Sequence, residues 1–176
     1  MTSPSELETV ARYHAWMGRQ LLDAAGWVQE ERLTSSARSH GSVLETLRHI
    51  ADVAQSWRNT AEGSPELTVQ EMEHFADLPS LRAFWQQEDE RLLKWVRSLD
   101  PTDVERDVAG PRKRTVPIWQ VVFHIVNHRV EHGNEIGWAL TELGQSPGDL
   151  GFMHYLDVER GSSIPWGSTE AFYHPH

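Results

Sequence analysis

Two histidines four residues apart, His128 and His132, sit in a helical stripe otherwise made of Val121, Ile125, Ile136, Ala139 and Leu143. These positions advance by three or four, so they share one face of a helix, the face a bundle buries. Residues at that spacing carry Cβ atoms about 6 Å apart, which lets both imidazoles reach one ion while the helix stays regular. Two imidazoles bind weakly, so a third donor has to come from elsewhere. His49 is one source, on the border of a second stripe formed by Val43, Leu47, Ile50, Ala54 and Trp57. His124 is another, but donors from three successive turns would span about 12 Å of helix axis, which strains a single coordination sphere. His124 therefore reads as a neighbour of the site or a structural side chain. Three neutral imidazoles leave a position open for water or substrate, as catalytic zinc sites do. Zinc is the first expectation for a divalent ion held this way, with nickel, iron, manganese or copper as alternatives.

For any one histidine, a hydrogen-bonded core position is the ordinary outcome. The pair within one stripe and the third at the border of another are what point to metal. Asn127, Asp52 and Glu135 lie near these histidines in sequence and are the candidate catalytic or orienting groups, since a metal-bound imidazole usually gives its other N–H to a carboxylate or carbonyl. On a helix Glu135 falls on the same side as His132, although a solvated carboxylate is the commoner fate there. His14, His40, His74, His154, His174 and His176 have no partner at ligand spacing and read as structural or surface residues. The tryptophans at 16, 57, 85, 95, 119 and 138 fall on helical segments and read mostly as core.

Four long helices have to position these residues. Ser3 to Glu6 is a capping box with Pro4 in the first turn, and the first helix follows through Leu7, Val10, Ala11, Met17, Leu21 and Ala25 to Gly26. Ser42 to Glu45 is a second capping box, opening a helix that ends near Glu62 to Pro65. A short helical turn is expected over Val69 to Phe75. Asp77, Leu78 and Pro79 then open a third helix, with Leu81, Phe84, Trp85, Leu92, Trp95, Val96 and Leu99 buried, which Asp100-Pro101 stops. Residues 102 to 116 read as a loop or weak hairpin. Pro117 begins the fourth helix, which runs to Leu143 before Gly144 and Pro147. A short helix over Phe152 to Val158 leads into an irregular tail, residues 158 to 176. The pattern predicts an all-α, up-and-down four-helix bundle, with loops long enough for another order of connection.

The chain of 176 residues suits a single domain. With 26 acidic and 16 basic residues its formal charge is −10, which disfavours nucleic acid as a partner. No basic leader precedes an apolar run, and no stretch reaches the roughly 20 apolar residues of a membrane span, so a soluble cytoplasmic protein is expected. The absence of cysteine excludes disulfides, thiolate ligands and a cysteine nucleophile.

Taken together, Thr46-Leu-Arg-His-Ile50 with Trp57, and His124-Ile-Val-Asn-His128-Arg-Val-Glu-His132 with Ile136 and Leu143-Gly144, resemble the DinB-like superfamily, the DinB/YfiT-like metalloenzymes. The likeness covers about residues 5 to 157. It implies a four-helix bundle with an unusual helix order, often dimeric, and a metal held by His49, His128 and His132. Where the family often has Arg-Gly-Gln after the last ligand, this chain has Gly133-Asn134-Glu135, which leaves the ligands intact but departs in the side chains that follow. The resemblance also implies a thiol S-transferase working with a low-molecular-weight thiol and a small-molecule substrate. A metal-dependent hydrolase, or a non-catalytic bundle fastened by its ion, would use the same three residues. A homodimer is expected through Trp119, Phe123, Val126 and Val130 of the fourth helix, with Gly133 and Gly137 letting a neighbour approach; packing within the chain is the competing expectation.

Overall fold

A computed structural model describes residues 2–35, 40–63, 75, 77–110 and 115–161 of the chain. The long helices are α1 (Pro4–Ala25), α3 (Val43–Glu62), α4 (Leu78–Ser98) and α6 (Ile118–Glu142). Shorter elements are α2 (Glu30–Ser35), α5 (Pro101–Glu105), strands β1 (Asp107–Ala109) and β2 (Thr115–Pro117), and α7 (Phe152–Glu159). Both capping boxes form: Ser3 and Ser42 each accept from the backbone three residues on, while Glu6 and Glu45 reach back to the cap. Each cap supplies partners for amides that the first turn leaves unpaired, an effect of about 1 kcal/mol. Asp77 caps α4, and Gly63 ends α3 in the left-handed conformation that glycine adopts without strain.

α1 packs against α4 and α6, and α3 packs against the same two helices, so α1 and α3 face each other across the bundle diagonal. A simple up-and-down order would set them side by side. The long connections after α1 and α3 permit this other circuit, so the simple up-and-down order gives way to the unusual helix order that the family resemblance implies. Between α4 and α6, Asp100 caps the short α5, and β1 pairs antiparallel with β2, Asp107 opposite Pro117. Neither α2 nor α5 is legible as a helix in the sequence, since five or six residues carry too little periodicity. The expected turn over residues 69 to 75 lies outside the described residues except for Phe75, which is not helical. α7 agrees with the expected short helix, and the tail from residue 162 lies outside the described residues.

The apolar stripes face inward as their spacing predicts: Val43, Leu47, Ile50 and Ala54 of α3, and Val121, Ile125, Ile136 and Ala139 of α6, are all buried. Trp16, Trp85 and Trp95 fill the core, but Trp138 is 75% exposed, a correction to its expected burial. Its stripe on α6 lies away from the core shared with α1 and α3 and borders a groove with Asn134, Pro147 and Leu150. The glycines of α6 are covered from within the chain. A Cβ on Gly133 would collide with the Met17 side chain and crowd Leu21, and one on Gly137 would touch Leu150 and Pro147. No helix among the described residues is long and apolar enough to cross a membrane.

One charged cluster is buried between α1, α4 and α6. Arg129, 1% exposed, donates to the His14 carbonyl at 2.7 Å and forms a two-pronged ion pair with Asp89 at 3.1 and 3.0 Å. Its guanidinium lies 4.5 Å from the centre of the Trp85 ring. Gly18 makes room for it, since a Cβ there would strike the guanidinium. The cluster fixes the rotation of α6. With Arg129 locked toward α1 and α4, the preceding His128, about 100° around the helix, turns toward α3.

Candidate metal centre

α3 and α6 bring His49, His128 and His132 into contact. The Nε2 atoms of His49 and His128 stand 3.0 Å apart. Ring centres are separated by 4.7 Å for His49 and His128, 4.6 Å for His128 and His132, and 5.2 Å for His49 and His132. Two nitrogens each about 2.0–2.1 Å from zinc would stand about 3.3 Å apart at a tetrahedral angle, so the closest pair is already near the spacing of two donors on one ion.

At His49 and His128 the electrostatics favour the neutral ring, the form that binds metal. Burial, then the neighbouring His40 and His132, pushes His49 down to about 4. Burial, followed by the histidines around it, pushes His128 down to about 3. Glu135 Oε2 lies 3.3 Å from His132 Nδ1, a position from which a carboxylate accepts a hydrogen bond from the Nδ1–H tautomer, the one that has its lone pair on Nε2. Glu135 is thus drawn into the site rather than solvated, and its spacing of three from His132 was the signal.

The remaining candidates divide. Asp52 stands three residues past His49 on α3; burial raises its carboxyl pKa, with the neighbouring Ser56 hydroxyl acting in the opposite sense. Its Oδ1 is buried with no hydrogen-bond partner among the described residues. Asn127 is exposed. His124 is exposed too, with its ring edge-on to Trp57 at 4.8 Å and 6.0 Å from the His128 ring. His14 belongs to the buried cluster of Arg129, and His154 lies beside Trp16 at 5.9 Å. His74, His174 and His176 lie outside the described residues.

His40 is the residue that spacing missed. It was expected at the surface without a ligand role, and it is exposed, but its ring stacks on His49 at 3.8 Å and 18° and meets His132 edge-on at 4.6 Å. Donor nitrogens of His40, His49 and His132 all lie within 4.8 Å of one another, as those of a metal-binding group do. His40 sits in a turn ahead of α3, where Gly41 has φ +97°, so no helical periodicity connects it with His49. A fourth histidine two residues before the Ser42 cap of the helix that carries His49 was the available clue.

A four-helix bundle with crossed connections and histidines clustered between two neighbouring helices defines a class of protein, and a comparison with known families agrees. The DinB family matches residues 1–167, and the chain belongs to that family. Among solved structures it is similar to YfiT from Bacillus subtilis, described as a probable metal-dependent hydrolase with an unusual four-helix bundle topology. The two are 16% identical, the match covers 83% of this chain and 92% of that one, and the TM-score is 0.65, a likeness of fold. No curated protein matches the sequence.

Proposed function

We propose that this DinB protein holds one divalent transition-metal ion, zinc foremost, with His49, His128 and His132, and activates a small nucleophile beside it. The observation that carries this reading is the 3.0 Å approach of two Nε2 atoms from different helices. Neutral rings there have lone pairs to share, and Glu135 stands 3.3 Å from Nδ1 of the third, His132, where it favours the tautomer with Nε2 available. An ion in that position supplies Lewis acidity, favouring the anionic form of a thiol or water.

The protein's own groups supply the rest. Asp52, three residues past His49 on α3 with a buried Oδ1 unpartnered among the described residues, is the candidate to take the proton the nucleophile gives up. With no cysteine in the chain, a sulfur nucleophile has to be a low-molecular-weight thiol from solution, which makes the reaction an S-transfer to an electrophilic small molecule. Hydrolysis is the second reading, favoured by the shared fold with YfiT and its description as a probable hydrolase.

The test is an assay of the metal-loaded protein with a panel of low-molecular-weight thiols and an aryl halide or epoxide, beside a panel of esters and amides without thiol. Thiol-dependent turnover that disappears on chelation and in His128→Ala is the expected result. Turnover of esters or amides alone would select the hydrolase. A loaded protein that processes neither panel, and unfolds cooperatively when its metal is removed, would sink the catalytic reading in favour of a structural ion.

A further inference from the structure

We propose that His40 is a fourth imidazole donor, filling the ion's open position in the resting protein and yielding it to the incoming nucleophile. The proposal rests on the reading of His49, His128 and His132 as a metal centre. Its starting point is the geometry: His40 donor atoms lie within 4.8 Å of those of both His49 and His132, while tetrahedral zinc sets such atoms about 3.3 Å apart. Closing that gap takes a shift of about 1.5 Å and a rotation of the His40 ring out of its near-parallel stack on His49, which a surface turn can make and a packed helix cannot.

The mounting of the four rings gives His40 its distinct role. His49, His128 and His132 stand in the middle of long helices, half-buried, with backbones held by helical hydrogen bonds. His40 is exposed, on a turn, next to a glycine in the left-handed region. Releasing one of the helical donors would require unwinding or rotating a helix. Releasing His40 requires only a swing of the turn. Stacking against His49 is a weak reason for an exposed ring to stay where it is, because water competes for it on its open side. Shared coordination is a stronger one. A softer, anionic donor such as a thiolate binds zinc more strongly than a neutral imidazole does, so it can displace His40 where water cannot. The centre is thereby closed at rest and opened by the nucleophile it uses.

Cobalt(II) reports coordination directly and is the probe for the test. Wild-type protein is expected to bind one cobalt with the intense visible band of a four-coordinate ion. His40→Ala should still bind one, with affinity lower by at least about tenfold, the loss that even an outer-sphere partner causes. Its band should change shape, and added imidazole should restore the wild-type band. Titrated 2-mercaptoethanol should produce a sulfur-to-cobalt charge-transfer band in both proteins, at lower concentration in His40→Ala, where no imidazole has to be displaced. A His40→Ala spectrum and affinity equal to wild type, with no response to imidazole, overturns the proposal. Failure of the underlying reading looks different: wild type binds no cobalt, or His128→Ala binds it as tightly as wild type, and the fourth-donor role falls with it.

Discussion

Glu135 and His132 are one turn apart on α6, and Glu135 Oε2 stands 3.3 Å from His132 Nδ1. A carboxylate in that position can accept from Nδ1 and so orient the ring, leaving Nε2 as the nitrogen free to bind an ion. Glu135→Gln keeps the shape and removes the charge. Metal affinity, measured by competition with a chromogenic chelator, should fall about 10- to 100-fold with helical circular dichroism unchanged. Equal affinities would show that the contact does not tune the site.

Elemental analysis should find close to one divalent transition metal per chain in the wild type. His49→Ala, His128→Ala and His132→Ala should each lose most of it, and His124→Ala should keep it, because His124 faces Trp57 at the surface. Full occupancy in the three variants and loss in His124→Ala would invert the assignment.

Removing the ion should leave the helices standing. The capping boxes at Ser3 and Ser42 and the buried stripes of α3 and α6 do not depend on it. We expect chelated protein to retain its helical circular dichroism, with a melting temperature lowered in line with the lost binding energy. Loss of the helical signal on chelation would make the ion part of the fold itself.

The His14–Asp89–Arg129 cluster makes the protein acid-sensitive. Burial, then Arg129, pushes His14 down to about 4, against the favourable effect of Asp89. The folded state therefore prefers neutral His14, a preference fully present above the unfolded value near 6.5 and lost as pH falls toward 4. The term amounts to up to about 3 kcal/mol. Burial alone would raise Asp89, but Arg129 and His14 outweigh it and hold its pKa down, so its contribution is also lost in acid. In urea titrations from pH 8 to 4 the stability of wild type should fall toward that of His14→Gln as pH drops below 6.5. Parallel curves would refute the assignment.

Gly18→Ala should cost about 1–3 kcal/mol, since its methyl group meets the Arg129 guanidinium, which is already locked by Asp89 and cannot move aside. Gly133→Ala meets the flexible end of Met17 and should cost less. Thermal melts of the two variants give the comparison, and the reverse order would mean that the buried ion pair yields more easily than the thioether.

What could be read in the sequence was what is local or periodic. Ser3 with Glu6, and Ser42 with Glu45, mark helix starts because cap and partner are three residues apart, and the stripe through His128 and His132 marks the buried face of α6. His40 was not legible, because a turn has no period and only the folded chain lays it over His49. The burial of Arg129 has no local signal, since it depends on Asp89 and Trp85 from α4 and on the absence of a side chain at Gly18. The diagonal placement of α1 and α3 depends on which stripes fit together in space, which no single helix encodes. Trp138 was misjudged because a large aromatic on a helix usually finds a core, and here its stretch of α6 faces a surface groove.

His49 and His128 are separated by 79 positions in the chain. An ion gripped by both would act as a reversible cross-link around most of the sequence between the bundle's second and last long helices. Holding so long a loop closed in the unfolded chain costs entropy on the order of 4 kcal/mol, as for a covalent bridge of that span. A loaded molecule would have to let go of its ion before α3 and α6 could separate. The lifetime of the native state, and its resistance to proteases that cut transiently opened chains, would then follow the metal supply of the cell.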